Sequence, residues 1–554
     1  MIANNDTNRN TVQYDGQVGS MLGWKELAAR RDSPVRKGRR RILFIVTPLL
    51  LLMLVFAAVR LSSVGSTSAD QLLLRVGDQQ AGLVDLRQTL PISPYLFGAN
   101  AFPKSGSGSV DRLYTGFMSY DASVIAGLRD AHIALLRFPG GNWGENQENQ
   151  NHILSYDQLN DFSTLLNQVH AEGMIQARLS SPIDGTKTVA GLATRANFAG
   201  RWVDYMNNRQ RDLRTGKYAD APFHPVHLWS VGNEPDRLVN PATGKLYTVS
   251  DYVSDFIEYS LQMHNNDPTI KVFGPEISQF YGLGAGPRDA NGTLWMEGFI
   301  QGVAAYERAH QATLKFHLLD GISFHRYQFN DARQAPDLLL SSSGEWNYLL
   351  PPLREFVRQQ LGGSVPLALT EVNTNPKAEV PTRGLAALWW ADTLGTLMSQ
   401  QMEYVAFFST QGVDAPYPLF ATDALHQTPM YRVMELYAHM QHNLIPLEIQ
   451  HEPISVYATQ DDTHQTVSLL FVNKSAATQL AQVSAENEFF TVSPWHSLDI
   501  TLAGYSITLV TLHRNASAEA YRYIVPFTTD LHTAPLSYTV CGKTGDALAN
   551  TLPC

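Results

Sequence analysis

The chain has 554 residues but only two cysteines, Cys541 and Cys554, both close to its end. That scarcity removes thiol nucleophiles and cysteine-ligated zinc from the main body. The two thiols are either free or close a small loop in an oxidising compartment. Basic charge is scarce where it would matter. Of 41 Lys/Arg and 51 Asp/Glu, nine and four respectively fall within residues 1–41, so the rest of the chain is acidic. An acidic remainder excludes nucleic acid as a partner. Three motif classes are missing as well: a GxxxxGK[ST] phosphate loop, a GxGxxG after a strand, and an HExxH zinc helix. No organic cofactor and no metal is therefore expected. Internal repeats and low-complexity tracts are also absent. With 44% hydrophobic and 17% charged residues, the composition is that of a globular protein with room for one large domain and a smaller one.

What is present begins with Arg36-Lys37-Gly38-Arg39-Arg40-Arg41, which runs into the uncharged stretch 42–59, ILFIVTPLLLLMLVFAAV. That stretch is about long enough to cross a bilayer as a helix, and its basic flank belongs in the cytoplasm. Residues 1–41 read as a cytoplasmic basic segment, 42–59 as a transmembrane signal-anchor, and 60–70 as a small polar linker. Everything beyond would lie outside the cell, on a single-pass protein of the cell membrane. A cleaved secretory signal is the alternative, although such signals occupy roughly the first 15–30 residues.

Residues 71–90 read as two short strands around a turn. From there to 443 the pattern alternates apolar strand-like runs with helical stretches. The runs are YLFGANA (95–101), IALLRFPGG (133–141), MIQARLSS (174–181), VHLWSVGNE (226–234), IKVFGPEIS (270–278), LDGISFHRYQ (319–328), PLALTEVNT (366–374) and EYVAFFSTQ (403–411). Between them, 250–263 carries Val253, Phe256, Ile257 and Leu261 on one face behind a Thr248/Asp251 capping box, and 383–398 aligns Ala386, Trp390, Leu394 and Leu397. Eight such alternations predict an α/β fold, a (β/α)8 TIM barrel over 91–443, ahead of a doubly wound sheet. Short alternating runs over 444–527 predict an accessory all-β sandwich, which the strands at 71–90 would join for want of other partners. Residues 528–554 are left as a C-terminal tail.

In such a barrel, chemistry sits at the C-terminal ends of the strands. Glu234 ends the fourth run and Glu371 the seventh, so two carboxyl groups from distant sequence meet at one mouth, suited to acid–base and nucleophile roles. In ISFHRYQ, His325 and Tyr327 share a face by alternation and point into the same mouth. Arg137 precedes Pro139-Gly140-Gly141-Asn142-Trp143, a turn that lets backbone and an aromatic face approach a ligand. The loops 182–193 and 281–293 would form its rim.

GNEPD at strand four, FHRY at strand six, RFPGGN at strand two and a Glu after the seventh strand together resemble clan A of the retaining glycoside hydrolases, the 4/7 superfamily. In layout residues 71–527 are similar to its heparanase and β-glucuronidase-like, arabinofuranosidase-like and xylosidase-like groups. The resemblance implies Glu234 as general acid/base and Glu371 as nucleophile of a double displacement at a glycosidic bond. It also implies Asn233 on the sugar 2-hydroxyl, Arg137 and Tyr327 holding Glu371, and His325 in that shell or on substrate, with a carbohydrate as partner. The end of strand eight departs from the clan, because Phe407-Phe408-Ser409-Thr410-Gln411 stands where many members carry a tryptophan.

Each residue has a plainer alternative. Glu234 before Pro235 suits a helix start, Glu371 a surface position, Arg137 a salt bridge, His325 a satisfied core histidine, Tyr327 a packed ring, and Trp143 a cover for the barrel. On the same fold, a non-catalytic cell-surface glycan-binding protein is the rival function.

Overall fold

The computed structural model describes residues 70–554 except 78–79, 106–115, 146–154, 181–189, 211, 330–339, 376–381, 414–416, 422–425, 448–451, 486–496, 515–517, 527–532 and 542–550. The segments expected as cytoplasmic, transmembrane and linker end at 70, so all but their last residue, and most of the rim loop 182–193, lie outside the described residues. Among the described residues, no helix is long and apolar enough to cross a membrane.

The eight apolar runs form one closed parallel barrel. Its strands are β1 (Gly98–Asn100), β2 (Leu135–Phe138), β3 (Glu172–Ala177), β4 (Leu228–Val231), β5 (Lys271–Ile277), β6 (Gly321–Tyr327), β7 (Leu367–Asn373) and β8 (Tyr404–Phe407). They neighbour one another in chain order, and β8 closes onto β1. The helix Val249–Asn266 starts with the expected capping box, in which Thr248 and Asp251 exchange side-chain and backbone bonds.

Alternation inside the barrel builds the floor of the mouth. Leu135, Met174, Leu228, Phe273, Ala368 and Tyr404 form an apolar plug, and Tyr95 stacks on Tyr404 with ring centroids 5.4 Å apart. Two positions further along their strands, the same inward column carries Arg137, Gln176, Ser230 and Thr370, all buried. An apolar base thus supports a polar layer.

Two sheets make the sandwich. Residues 80–85, 71–76, 479–484, 497–502 and 551–553 form one, in that order; 537–540, 519–524, 506–513, 466–473, 454–460, 443–445 and 90–91 form the other. Leu72, Leu74, Val84, Val483, Leu498, Leu469, Phe471 and Val510 fill the space between them. The second sheet is apolar on both faces because its far side, with Leu470, Val472, Ile507 and Leu509, packs into the barrel's own core. The helix Arg383–Ser399 lies in that joint and is buried from Gly384 to Met398 on every side. A side chain at Gly395 would collide with the Tyr457 ring, with its Cβ 2.3 Å from Cε2. The single apolar stripe expected for this helix is therefore too narrow a reading, since it has neighbours all round.

The expected tail is also corrected. Ser537–Val540 adds an antiparallel strand to the seven-stranded sheet, and Thr551–Pro553 adds a parallel one beside Ser497–Leu502. A disulfide joins Cys541 to Cys554 between these two strands. Unpaired sheet edges at 519–524 and 497–502 supply the physical reason for the additions.

Candidate active site

The site grows out of a buried cation. Arg137 is fully buried, and its two terminal nitrogens satisfy five acceptors. Nη1 donates to Glu371 Oε1 at 3.0 Å and Asn100 Oδ1 at 2.9 Å, while Nη2 donates to Glu276 Oε2 at 2.9 Å, Asn233 Oδ1 at 2.9 Å and Gln176 Oε1 at 3.2 Å. Six strands, β1 to β5 and β7, are thereby tied to one guanidinium, whose planar fork suits such a node.

Glu371 is 3% exposed. Tyr327 donates its hydroxyl to Glu371 Oε2 at 2.6 Å, so that each carboxylate oxygen has a donor. Glu234, 8% exposed, takes the His325 Nδ1 at 3.2 Å on Oε1 and Arg237 at 3.3 Å on Oε2. The His325 ring sits between the carboxylates, with Nδ1 also 3.6 Å from Glu371 Oε2 and Nε2 3.0 Å from Glu276 Oε2. One oxygen each of Glu234 and Glu371 and one nitrogen of His325 lie within 4.8 Å of one another. A metal cation does not fit that donor set as it stands, because both ring nitrogens face carboxylates and Arg137 already neutralises Glu371.

Electrostatics follow from the packing. Burial disfavours a charged His325, but the Glu371 charge and the hydrogen bonds of Glu234 and Glu276 outweigh it and raise its pKa to about 9. Burial likewise opposes charge on Glu276, yet Arg137, His325 and Thr370 pull its pKa down to about 2. Glu234 and Glu371 titrate as a coupled pair. At Glu234 burial is outweighed by His325, Arg237 and Arg137, which lower its pKa. At Glu371 burial and the Glu234 charge exceed the pull of His325 and Arg137, so its pKa is raised. Arg237 is the extra cation on the Glu234 side.

Backbone geometry aims these groups. Glu234 ends β4 in the left-handed region (φ 46°), Glu276 does the same on β5 (φ 58°), and the Glu234 N–H donates to the Glu276 carbonyl at 2.9 Å. Register shifts occur between Pro275 and Ile277, between Phe324 and His325, and between Leu369 and Val372. Bulges of this kind re-aim side chains at barrel rims.

The structure brings Glu234, Glu371, Asn233, Arg137, His325 and Tyr327 into one cluster, with Asn142 at its edge, where its Oδ1 accepts from Asn233 Nδ2 at 3.3 Å. Trp143 does not present a face there. It is 5% exposed and packs edge-on against Phe117 at 5.9 Å, because the short helix Gly141–Glu145 turns residue 142 outward and 143 into the wall. The aromatic beside the carboxylates is Phe408. Its ring lies 6.2 Å from that of Tyr327, and a Cβ on Gly141 would meet Phe408 at 2.9 Å and Glu371 Oε1 at 3.4 Å. Phe407 instead faces outward onto Trp390 at 4.8 Å. Sequence reasoning missed Asn100, Gln176, Thr370 and Glu276. The first two are polar residues in otherwise apolar runs, a signal that was available.

The closed parallel barrel and the antiparallel sandwich agree with the fold that the resemblance implied. No family model matches the chain, and no curated protein matches its sequence. Solved structures do. The α-L-arabinofuranosidase of Thermotoga maritima superposes with a TM-score of 0.56 at 16% identity, over 81% of this chain and 92% of that one. The family 51 arabinofuranosidase of Xanthomonas axonopodis pv. citri gives 0.57 at 15%, over 85% and 94%. A family 44 xyloglucanase of Paenibacillus polymyxa gives 0.53 at 13%, over 77% and 97%. At these identities the likeness is one of fold.

Proposed function

We propose that the chain is a retaining glycoside hydrolase acting on oligo- or polysaccharides. The observation that carries this reading is the approach of Glu234 and Glu371 to within 4.8 Å, with both Glu371 oxygens held by Arg137 and Tyr327. Retaining enzymes space their two carboxyl groups about 5–5.5 Å apart, whereas inverting ones leave a wider gap for water.

In the first step a Glu371 oxygen bonds to the anomeric carbon as the glycosidic C–O bond breaks, and the Glu234 proton passes to the departing oxygen. In the second, Glu234 takes a proton from water, whose oxygen attacks the same carbon and frees Glu371. Bond breaking needs a proton on Glu234, whose pKa its cationic neighbours lower. His325 and, after it, Arg237 oppose this, and a leaving group seated over Glu234 would displace the half-exposed Arg237 side chain. Asn233, held by Arg137 and beside Asn142, is placed for the sugar 2-hydroxyl, and Phe408 offers the ring that the end of β8 otherwise lacks. The arabinofuranosidase and xyloglucanase neighbours make arabinofuranosides and xyloglucan the first substrates to try.

A panel of aryl glycosides of arabinose, xylose, glucose, galactose and glucuronic acid should identify the sugar. The matching 2-fluoro inactivator should then label Glu371 in peptide mapping. An adduct on Glu234, or product of inverted configuration, overturns the assignment.

The basic cluster and uncharged run at 36–59 support a single-pass anchor with the barrel outside the cell. Protease on intact cells should remove the barrel, whereas a secreted form beginning near Asp70 would contradict the anchor.

A further inference from the structure

Glu276 is a third carboxylate at the mouth. Strand alternation sends it the wrong way: Phe273 points into the barrel plug, and Gly274 faces the outer helices through Phe256 and Phe299, so residue 276 belongs outside. The register shift at Pro275/Ile277 and the left-handed backbone turn it inward instead. Such a conformation is strained in a residue other than glycine and persists where the surroundings over-determine it.

Once inside, Glu276 has no exposure and lies beneath the groups that face the opening. Its Oε2 receives three donors, Arg137 at 2.9 Å, His325 at 3.0 Å and Thr370 at 2.8 Å. Its Oε1 is buried with no hydrogen-bond partner among the described residues. A glutamine oxygen would accept the same three bonds, so hydrogen bonding alone does not call for a carboxylate. The negative charge is what glutamate adds.

We propose that Glu276 is a positioning residue that keeps His325 protonated and pinned between the two reacting carboxylates, so that one imidazolium N–H serves each in turn. This rests on the retaining reading. Nδ1 stands 3.2 Å from Glu234 and 3.6 Å from Glu371, and the ring needs only a small tilt to change partner. While Glu371 is the anion, the N–H supports it. When Glu371 becomes a neutral ester and Glu234 carries the charge, the same N–H supports Glu234, and no proton leaves His325. The groups facing the ring are Glu276 on β5, Thr370 and Glu371 on β7, Glu234 with Asp236 and Arg237 beyond β4, Arg137 on β2, and Tyr327 on its own strand. Carboxylates dominate this shell, and they hold the ring charged to about pH 9.

The test uses the whole protein with 15N-labelled histidine, its His325 signal identified by its loss in His325→Gln. His325 should remain protonated at pH 8. In Glu276→Gln it should lose its proton at least one pH unit lower, and kcat on the cleaved aryl glycoside should fall by about 10²-fold with KM changed far less. The alkaline limb of kcat should move toward acid by the same interval. Thr370→Val removes one bond to Glu276 but keeps the charge, so its His325 titration should stay within a few tenths of a unit of the parent. A neutral His325 at pH 8 in the parent protein, or an unmoved titration in Glu276→Gln, overturns the proposal, and the first needs no variant to fold. If no glycoside is cleaved while His325 depends on Glu276 as stated, the hydrolase reading fails and the electrostatic role stands.

Discussion

The barrel mouth and the barrel–sandwich joint both bury ions, in opposite ways. In the joint, Asp392 sits on a regular helix and receives Lys474 at 2.9 Å, the Tyr457 hydroxyl at 2.6 Å and the Ser343 hydroxyl. Buried charge there is balanced one to one, and Glu452 reaches Lys474 from the exposed rim. A cavity of about 690 Å³ lies alongside, but its acidic groups are taken, Asp392 and Glu452 by Lys474 and Glu345 by Arg326. The mouth gathers three buried carboxylates against two buried cations, two left-handed residues, three register shifts and an oxygen without a donor among the described residues. A cluster that only holds two domains together satisfies local rules. The mouth breaks several of them, as the proposed reaction, in which its charges change, would require.

The largest effects should separate the two regions. Glu371→Gln should cut turnover by roughly 10⁴-fold or more while leaving Tm unchanged or higher, because it removes one of three crowded carboxylates. Lys474→Met should do the reverse: stranding buried Asp392 costs about 3–5 kcal/mol in urea unfolding. The molecules still folded should keep the parent kcat/KM. Lost turnover without lost stability in Lys474→Met would erase the distinction.

Tyr327→Phe probes the mouth more gently. Losing the donor at 2.6 Å from Glu371 should lower kcat by about 10²–10³-fold, with the ring packing and Tm nearly kept. Parent turnover in this variant would reduce Tyr327 to a packing residue.

The smallest effect is pH-dependent stability. Glu276, held at about 2, adds stability that is complete above the ordinary value of 4.5 and is lost as pH falls toward 2. His325, raised to about 9, adds stability that is complete below 6.5 and is lost as pH rises through 9. Urea midpoints of the parent should therefore fall between pH 6.5 and 9, and in Glu276→Gln the fall should end at lower pH and be smaller. Identical profiles for the two proteins would leave the mouth no more pH-sensitive than the joint.

Much of this was legible in the chain itself. Seven of the eight apolar runs contain a barrel strand and the run 174–181 overlaps one that starts at Glu172, because a strand buried on both faces reads as a continuous apolar stretch. Arg137, His325 and Tyr327 lie where alternation puts them, inside. Glu276 was illegible for the same reason, since alternation assigns it outside and only a bulge reverses that. Trp143 was placed by residue type, and a short helix decided otherwise. The helix at 383–399 hid its buried polar partner, because Lys474 arrives from a strand far along the sequence. Local patterns specify elements, whereas bulges and distant pairings depend on neighbours that no short window contains.

The sandwich draws strands from both ends of the described chain: Leu73 pairs with Ser484, and Leu90 with Leu444. During synthesis, residues 71–85 emerge before the barrel and must wait for a partner about 400 residues away, roughly 20–80 s at usual elongation rates. For that interval they form an open two-stranded edge, able to pair wrongly with any other nascent strand. Stopping the chain anywhere before 479 would make the wait permanent, so early termination should yield aggregates rather than a free barrel.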